Sequence, residues 1–288
     1  NLLNVGLSSH RVKDSVPSHI PAHNQFIDSK NLKSQNYLNK ISEWTDQNLM
    51  ALNVKKTKSM VFNFSNNYQF TTDILLRNER IEIVQQAKLL GLVLTSDLRW
   101  DENTNYLVKD ANKRMIMLRA AAKFTSDKKV LKQIYYSRIR CKLEQSAAVW
   151  SNSLTQKNIA DLERVQKAAV RLINGKPYES YSETLKELEI MRLSERRKVI
   201  CLKYAKSCLR LDNFKKLFPM HSSKHQMKTW HVDKYQVSQS NSKRYANSAI
   251  PNMLNLLNKE YKDQNQMLRK LKKSVLSPTN FACTRIYC

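Results

Sequence analysis

Along most of the chain the apolar residues return every three or four positions, the spacing of one helix face; only between Ser59 and Leu94 do they gather in strand-like runs. Residues 1–33 hold no clean period and contain Pro17 and Pro21, so they read as a long loop. From Gln35 a helix is predicted: Leu38, Ile41, Trp44 and Met50 recur near the helical period, and Ser34 is placed to cap it. The period then changes. Ser59–Phe64 predicts a strand, and Ile74–Leu76 with Ile81–Val84, flanking Arg77-Asn78-Glu79-Arg80, predict a hairpin. Lys88–Leu94 predicts one more apolar strand, in which Gly91 marks a bulge or the close approach of another backbone.

Beyond Trp100 the pattern is helical almost to the end. Leu107, Ala111, Met115, Leu118 and Ala122 form one apolar stripe, and Leu131, Ile134, Tyr135, Ile139 and Leu143 a second. Thr155 caps a third helix, with Ile159, Leu162, Val165, Ala169 and Leu172 inward and Gly175 just past its end. Leu193–Leu209 makes a fourth, opened by Ser194. Residues 219–248 are polar and aperiodic and read as a linker; Met253–Lys273 predicts a last, very basic helix before a loose tail. Trp44, Trp100 and Trp150 fall within apolar patterns and are assigned to the core. The fold class is therefore α+β: a small mixed α/β piece over residues 1–100, then a mainly α-helical basic region. That region divides into helices over 101–175, further helices over 176–218, and a polar linker with the terminal helix over 219–288.

Charge sharpens this picture. The 288 residues include 50 Lys+Arg against 24 Asp+Glu, a formal net charge of +26. The excess rises after residue 100, from net +4 over residues 1–100 to +12 over 101–210 and +10 over 211–288. A polyanion is the natural partner, because each Lys or Arg set against a phosphate releases condensed counterions. The competing source of the charge is a composition rich in Lys, Asn, Ile and Tyr. No apolar run approaches the roughly 18 residues of a membrane span, so no membrane partner is expected. With 41% hydrophobic residues and only 3 Gly and 6 Pro, the chain can build a real core from long helices.

The five cysteines form no C-x-x-C pair, which excludes a zinc ribbon and fits a reduced, intracellular setting, nuclear and cytoplasmic. Cys141, Cys201 and Cys208 are expected as core-facing thiols. His19, His23, His221, His225 and His231 read as surface or core histidines, and no metal site is assigned. The chain opens on Asn1 with neither Met nor signal peptide, and we read it as a fragment of a longer protein.

Four features can carry chemistry. They are the lysine-studded junction Leu52–Met60, the Leu89-Leu90-Gly91 strand, the helix bearing Lys109, Lys113, Arg114 and Arg119, and Leu162–Ala169 with Arg196-Arg197 further on. In this order they resemble the C-terminal half of a non-LTR (LINE-type, jockey-like) retrotransposon reverse transcriptase. "ISEWTDQNLMALNVKKTKSMVF" resembles that family's helix leading into motif D, and "AKLLGLVLTSDLRWDENT" its primer-grip strand and thumb entry. "RIRCKLEQSAAVWSNSLTQKNIADLERVQKAAVRLI" resembles the thumb-side helices, "RLSERRKVICLKYAKSC" the segment beyond, and "GLSSHRVKDSVPSHIPAHNQF" the loop after the catalytic strand. The likeness covers about residues 1–260 and weakens toward the end.

The resemblance implies a post-catalytic palm remainder over 1–100, thumb-like helices over 101–175 and C-terminal helices beyond. It places Lys56 at the family's motif D lysine, a candidate general acid toward the leaving pyrophosphate, while Asn53 is a turn-former. A solvated turn lysine is the alternative, and the better reading of Lys55 and Lys58. Leu89, Leu90 and Gly91 match the primer grip, with Leu89 where the family often has Phe; an ordinary buried strand is the alternative. Lys109, Lys113, Arg114 and Arg119, with Arg164, Lys167 and Arg171, are candidates for phosphate contacts that position a template–primer without reading sequence. Each set could instead be the solvated face of its helix, and Arg196 and Arg197 could pair with Glu187, Glu189 or Glu195.

The family's aromatic-x-Asp-Asp strand is missing: the chain contains no adjacent Asp pair. Asp28, Asp46, Asp73 and Asp97 read as ordinary surface carboxylates. No cofactor is expected for this fragment, which should not polymerise alone. Mg2+ is expected for the intact enzyme, with upstream fingers, palm and endonuclease domains as partners of this part. The other readings are a non-catalytic basic nucleic-acid-binding module and a domesticated or pseudogene remnant.

Overall fold

The computed structural model describes residues 3–4, 22–62, 74–175, 180–220, 234–240 and 242–275. The chain is α+β and mostly helical, with three small sheets among the described residues. It divides into two compact units, residues 1–109 and 110–288.

In the first unit, helix α1 (Ala22–Gln47) begins well before Ser34, so a segment expected as loop is helical. Polar residues fill that early part, which is why apolar periodicity does not announce it. Leu38 is buried with Ile74, Leu76 and Ile81, and Leu52 and Val54 pack against them. Gln35 extends this contact as a strand-edge mimic: its amide accepts from Leu75 N–H at 2.9 Å and donates to Leu75 C=O at 2.7 Å. Trp44, assigned to the core from sequence, is instead 56% exposed, and Met50 lies beyond the helix end and is exposed.

The strands are short. β1 (Leu3–Asn4), β2 (Lys58–Ser59) and β5 (Glu82–Ile83) form a parallel sheet in the order β1-β2-β5. Thus only the start of the predicted Ser59–Phe64 strand is a strand; Met60–Phe62 lie outside it, and Asn63 and Phe64 fall outside the described residues. A hairpin forms where one was predicted, but between β3 (Leu75–Leu76) and β4 (Glu79–Arg80), the second strand lying in the expected loop. The expected partner strand contributes β5 to the parallel sheet instead. The hairpin's loop is Arg77-Asn78 alone, both with positive φ as a two-residue I′ turn requires.

A second correction concerns residues 88–94. They are not one strand but two, β6 (Gln86–Leu89) and β7 (Leu92–Thr95), paired antiparallel with Leu89 opposite Leu92. Leu90 (φ 49°) and Gly91 (φ 83°) form the turn. The turn's backbone accounts for the glycine, in place of the bulge or close neighbour expected from sequence.

Helix α2 (Asp101–Phe124) buries Leu107, Ala111, Met115 and Leu118 completely, as its stripe predicts. In the second unit α3 (Lys128–Ile134) runs through a wide π turn, Tyr135–Arg140, into α4 (Cys141–Leu143). Leu131, Tyr135, Ile139 and Leu143 are all buried. Cys141 faces solvent, contrary to expectation, its thiol bonded to the Ser137 carbonyl. The short helix α5 (Ala147–Trp150) seats Trp150 fully in the core, with its indole N–H donated to Gln145 C=O at 2.8 Å.

Helix α6 (Gln156–Asn174) starts and stops where its sequence says. Thr155 Oγ1 accepts from Asn158 N–H at the start, and Gly175 closes the end with φ 64°. After α7 (Tyr181–Glu187) comes α8 (Leu193–Leu209), whose cap position is Arg192, not Ser194, which lies within the helix. Cys201, Ala205 and Cys208 of α8 form a core with Ala148, Phe218 and Tyr235 and with Met253, Leu254 and Leu257 of the terminal helix, Ala249–Val275. Tyr235 is pinned there by Asn258, which accepts from its N–H at 2.8 Å and donates to its C=O at 2.9 Å. Part of the expected linker is therefore core.

Candidate nucleic-acid interface

Lys56 lies in a single 3-10 turn, Val54–Lys56, that leads into β2. Asn53 builds the turn: its side chain accepts from Lys56 N–H at 3.1 Å, and its carbonyl accepts the Thr57 hydroxyl at 2.9 Å. Thr57 and Ser59 are buried, so the chain around Lys56 is anchored while the lysine side chain stands in solvent. The adjacent lysines differ in their surroundings. Lys55 is exposed, whereas Lys58 is paired with Glu82 on the neighbouring strand.

At the tip of the β6–β7 hairpin Leu90 is 88% exposed, while Leu89 and Gly91 are half-buried. A leucine with positive φ costs about 1–2 kcal/mol relative to ordinary backbone, and here no burial of the side chain offsets it. Leu90→Asn, which suits this conformation, is expected to raise the chain's stability by about 0.5–1 kcal/mol. A urea midpoint unchanged from the parent would mean that no strain is stored at the turn. Behind the tip, Lys88 donates to the Tyr106 hydroxyl at 2.7 Å, and Asn103 accepts from Val93 N–H at 3.1 Å. Both contacts tie the hairpin to α2.

On α2, Lys109, Lys113 and Arg119 are exposed. Lys109 and Lys113 share a face, while Arg119 is turned well round the helix from them. Arg114 departs from the set: it is half-buried and bonded to Asp110 at 3.1 Å, and Lys142 approaches the same carboxylate at 3.5 Å. On α6, Arg164, Lys167 and Arg171 are all exposed, but Arg164 pairs with Asp161 at 3.0 Å and Lys167 lies 5.1 Å from the centre of the Tyr181 ring.

Arg196 and Arg197 pair with none of the glutamates expected for them. Arg196 makes a two-pronged contact with Glu144 at 2.8 and 2.9 Å, which holds its pKa above the usual value. Arg197 turns inward and is buried, and burial lowers its pKa while the charge of Glu163 opposes that shift. Glu187 binds Lys128 instead, at 2.7 Å. Asp97 is half-buried and accepts from the Thr95 hydroxyl and Arg99 N–H. Asp46 pairs with Arg77. Asp46 is the surface carboxylate expected, whereas Asp97 is half-buried; Asp28 has no described side chain, and Asp73 lies outside the described residues.

The sequence pattern did not reveal a polar chain inside the second unit. The Tyr135 hydroxyl donates to Gln166 at 2.7 Å, and Gln166 donates to the Tyr181 hydroxyl and to Met191 C=O, both at 3.1 Å. Tyr181 in turn donates to Glu163. One oxygen of Glu163 and one terminal nitrogen of Arg197 remain buried without a hydrogen-bond partner in the structure.

No protein-family model, curated protein or solved structure matches this chain. The site must be read from its own geometry. Among the described residues no three His, Cys, Asp or Glu side chains gather as a metal site, and no helix is long and apolar enough to cross a membrane.

The buried phenols give the fold a pH limit. Burial, chiefly, pushes the Tyr135 and Tyr181 hydroxyls well above the ordinary tyrosine range, with the Glu163 contact adding to the shift at Tyr181. A raised folded pKa contributes stability that is whole below the unfolded value of about 10 and is lost as pH rises beyond it. The urea midpoint should therefore hold between pH 8 and 9 and fall above pH 10. A midpoint flat to pH 11 would mean that these hydroxyls ionise in place.

Proposed function

We propose that this chain is the nucleic-acid-holding part of an RNA-directed DNA polymerase of a non-LTR retrotransposon, positioning a template–primer for a catalytic centre that lies upstream. The observation that carries the reading is the solvent face of α2. Lys109 and Lys113 stand exposed there on one line, while nearby Arg114 and Lys142 are engaged by Asp110. Exposed cations in line on a rigid helix suit the repeating phosphates of a duplex, whose counterions they displace. The hairpin tip supports the same reading: exposed apolar side chains on strained backbone are a feature of contact sites, and Leu90 and Gly91 would lie against the primer end.

In this reading Lys56, held on its anchored turn, faces the triphosphate and gives a proton to the departing pyrophosphate. Two divalent ions would supply the metal chemistry in the intact enzyme. The residues here do not fit them: no Asp pair occurs in the sequence and no ligand cluster occurs among the described residues. A second reading, a basic binding module with no polymerase attached, rests on the same exposed cations.

Binding of an RNA–DNA hybrid across a salt series tests both. Affinity should fall with a log–log slope of about −0.9 per phosphate neutralised. A slope near zero would remove nucleic acid as the partner. Tighter binding to a recessed primer–template than to a blunt hybrid of equal length supports the polymerase fragment, and equal binding supports the module.

A further inference from the structure

Helix α2 ends on an aromatic ring that its own stripe does not use. Phe124, the last residue of the helix, is 90% exposed. Met117, seven residues back on the same side of the helix, is also left in solvent, at 49% exposed. Lys113 lies on the same side of the helix, about 16 Å back along it, and Lys123 precedes the ring directly. Across the corner, Lys129 and Val130 are exposed as well. Lys113, Lys123 and Lys129 form no ion pair among the described residues.

The corner that carries the ring is fixed rather than frayed. Thr125 N–H continues the helix onto Ala121 C=O at 3.0 Å, and the Thr125 hydroxyl accepts from Asp127 N–H at 3.1 Å. Asp127 then caps α3 by accepting from Lys129 N–H at 2.8 Å. The first residue of α3, Lys128, is tied to Asn174 at 3.1 Å and Glu187 at 2.7 Å. The backbone that carries the ring is thus ordered before a ligand arrives, and lysines stand on both sides of it. A lysine near a helix C-terminus is expected from the helix dipole alone, so Lys123 by itself proves little. The dipole gives no reason for a phenylalanine.

We propose that Phe124 is a stacking platform for an unpaired base of single-stranded nucleic acid, with Lys113, Lys123 and Lys129 receiving the flanking phosphates. The proposal rests on the nucleic-acid reading above and adds to it which strand state this corner recognises. A base inside a duplex is stacked on both faces and offers none to the ring, whereas a splayed base does. The exposed ring with Met117 on its side favours a flat, weakly polar surface such as a base, and the three cations favour an acidic backbone over an uncharged protein face.

The test uses the full chain with a short oligo-dT and a blunt DNA duplex, at one salt concentration. Phe124→Ala should weaken oligo-dT binding by about ten-fold, the loss that one base–aromatic stack produces, and leave duplex binding unchanged. Phe124→Trp should restore the affinity and Phe124→Leu should not. Because the ring is exposed, each variant should melt at the parent's temperature. Equal oligo-dT affinity in Phe124→Ala overturns the stacking role while leaving the nucleic-acid reading intact. Equal losses on both ligands also overturn it, as does a parent dimer in sedimentation that Phe124→Ala dissolves. A parent chain that binds neither ligand overturns both readings together.

Discussion

Glu163→Ala is expected to remove about 1–3 kcal/mol of stability, the cost of leaving a buried polar group without its partner. Arg197 is 4% exposed, and Glu163 is the charge that most favours its ionised form. The same carboxyl group accepts the Tyr181 hydroxyl, so its loss also strands a buried donor. A domain of this size holds about 5–15 kcal/mol in all, so a loss of that size is readily measured. Glu163→Gln keeps an acceptor for Tyr181 but not the charge, and should fall between the two. Urea unfolding followed by circular dichroism would read all three. Glu163→Ala within about 0.5 kcal/mol of the parent would mean that the Tyr181 hydroxyl does not depend on it.

Reversing two charges on α2 should have the largest effect on binding. If Lys109 and Lys113 each neutralise one phosphate, removing both lowers the salt slope by about 1.8 and the affinity by about 60-fold at 0.1 M salt. Lys109→Glu with Lys113→Glu adds repulsion to that loss. The fold should not change, because both side chains are exposed. Arg114→Glu makes an instructive contrast: Arg114 is engaged by Asp110, so its replacement should disturb the helix more than the ligand. A double variant whose salt slope equals the parent's would take α2 out of the contact surface.

Local signals marked some of these elements well. Thr155 and Gly175 bound α6 because a hydroxyl cap and a left-handed glycine act within four residues of chain. The limits of α8 follow from its apolar period. The hairpin at Leu90-Gly91 is hidden because Leu89 to Leu94 runs through the turn as one apolar stretch and the turn lacks the usual Asn or Asp. Cys141 was misassigned because the π turn before it adds a residue and rotates the helix face. Adjacent arginines at 196 and 197 point to different surroundings about 100° apart, and the true partner, Glu144, is 52 residues away. Charge patterns read locally cannot find such a pair. Among the candidate site residues, exposure of Lys56, Lys109 and Lys113 followed the pattern, whereas the engagement of Arg114 and Arg164 depended on where their carboxylates pointed.

The polar chain through α6 also governs where this protein can be shortened. Gly175 looks like a natural stopping point, since a clean helix ends there. A chain terminated at that glycine would lack Tyr181, Met191 C=O and Arg197, the groups that Gln166 and Glu163 face, and Arg196, which engages Glu144. It would also lack Glu187 and Leu188 C=O, which receive Lys128 and Lys132. What remained would expose polar groups shaped for burial alongside an uncovered apolar seam, the combination that drives recombinant fragments into inclusion bodies. The shortest workable piece of the second unit must run at least through α8.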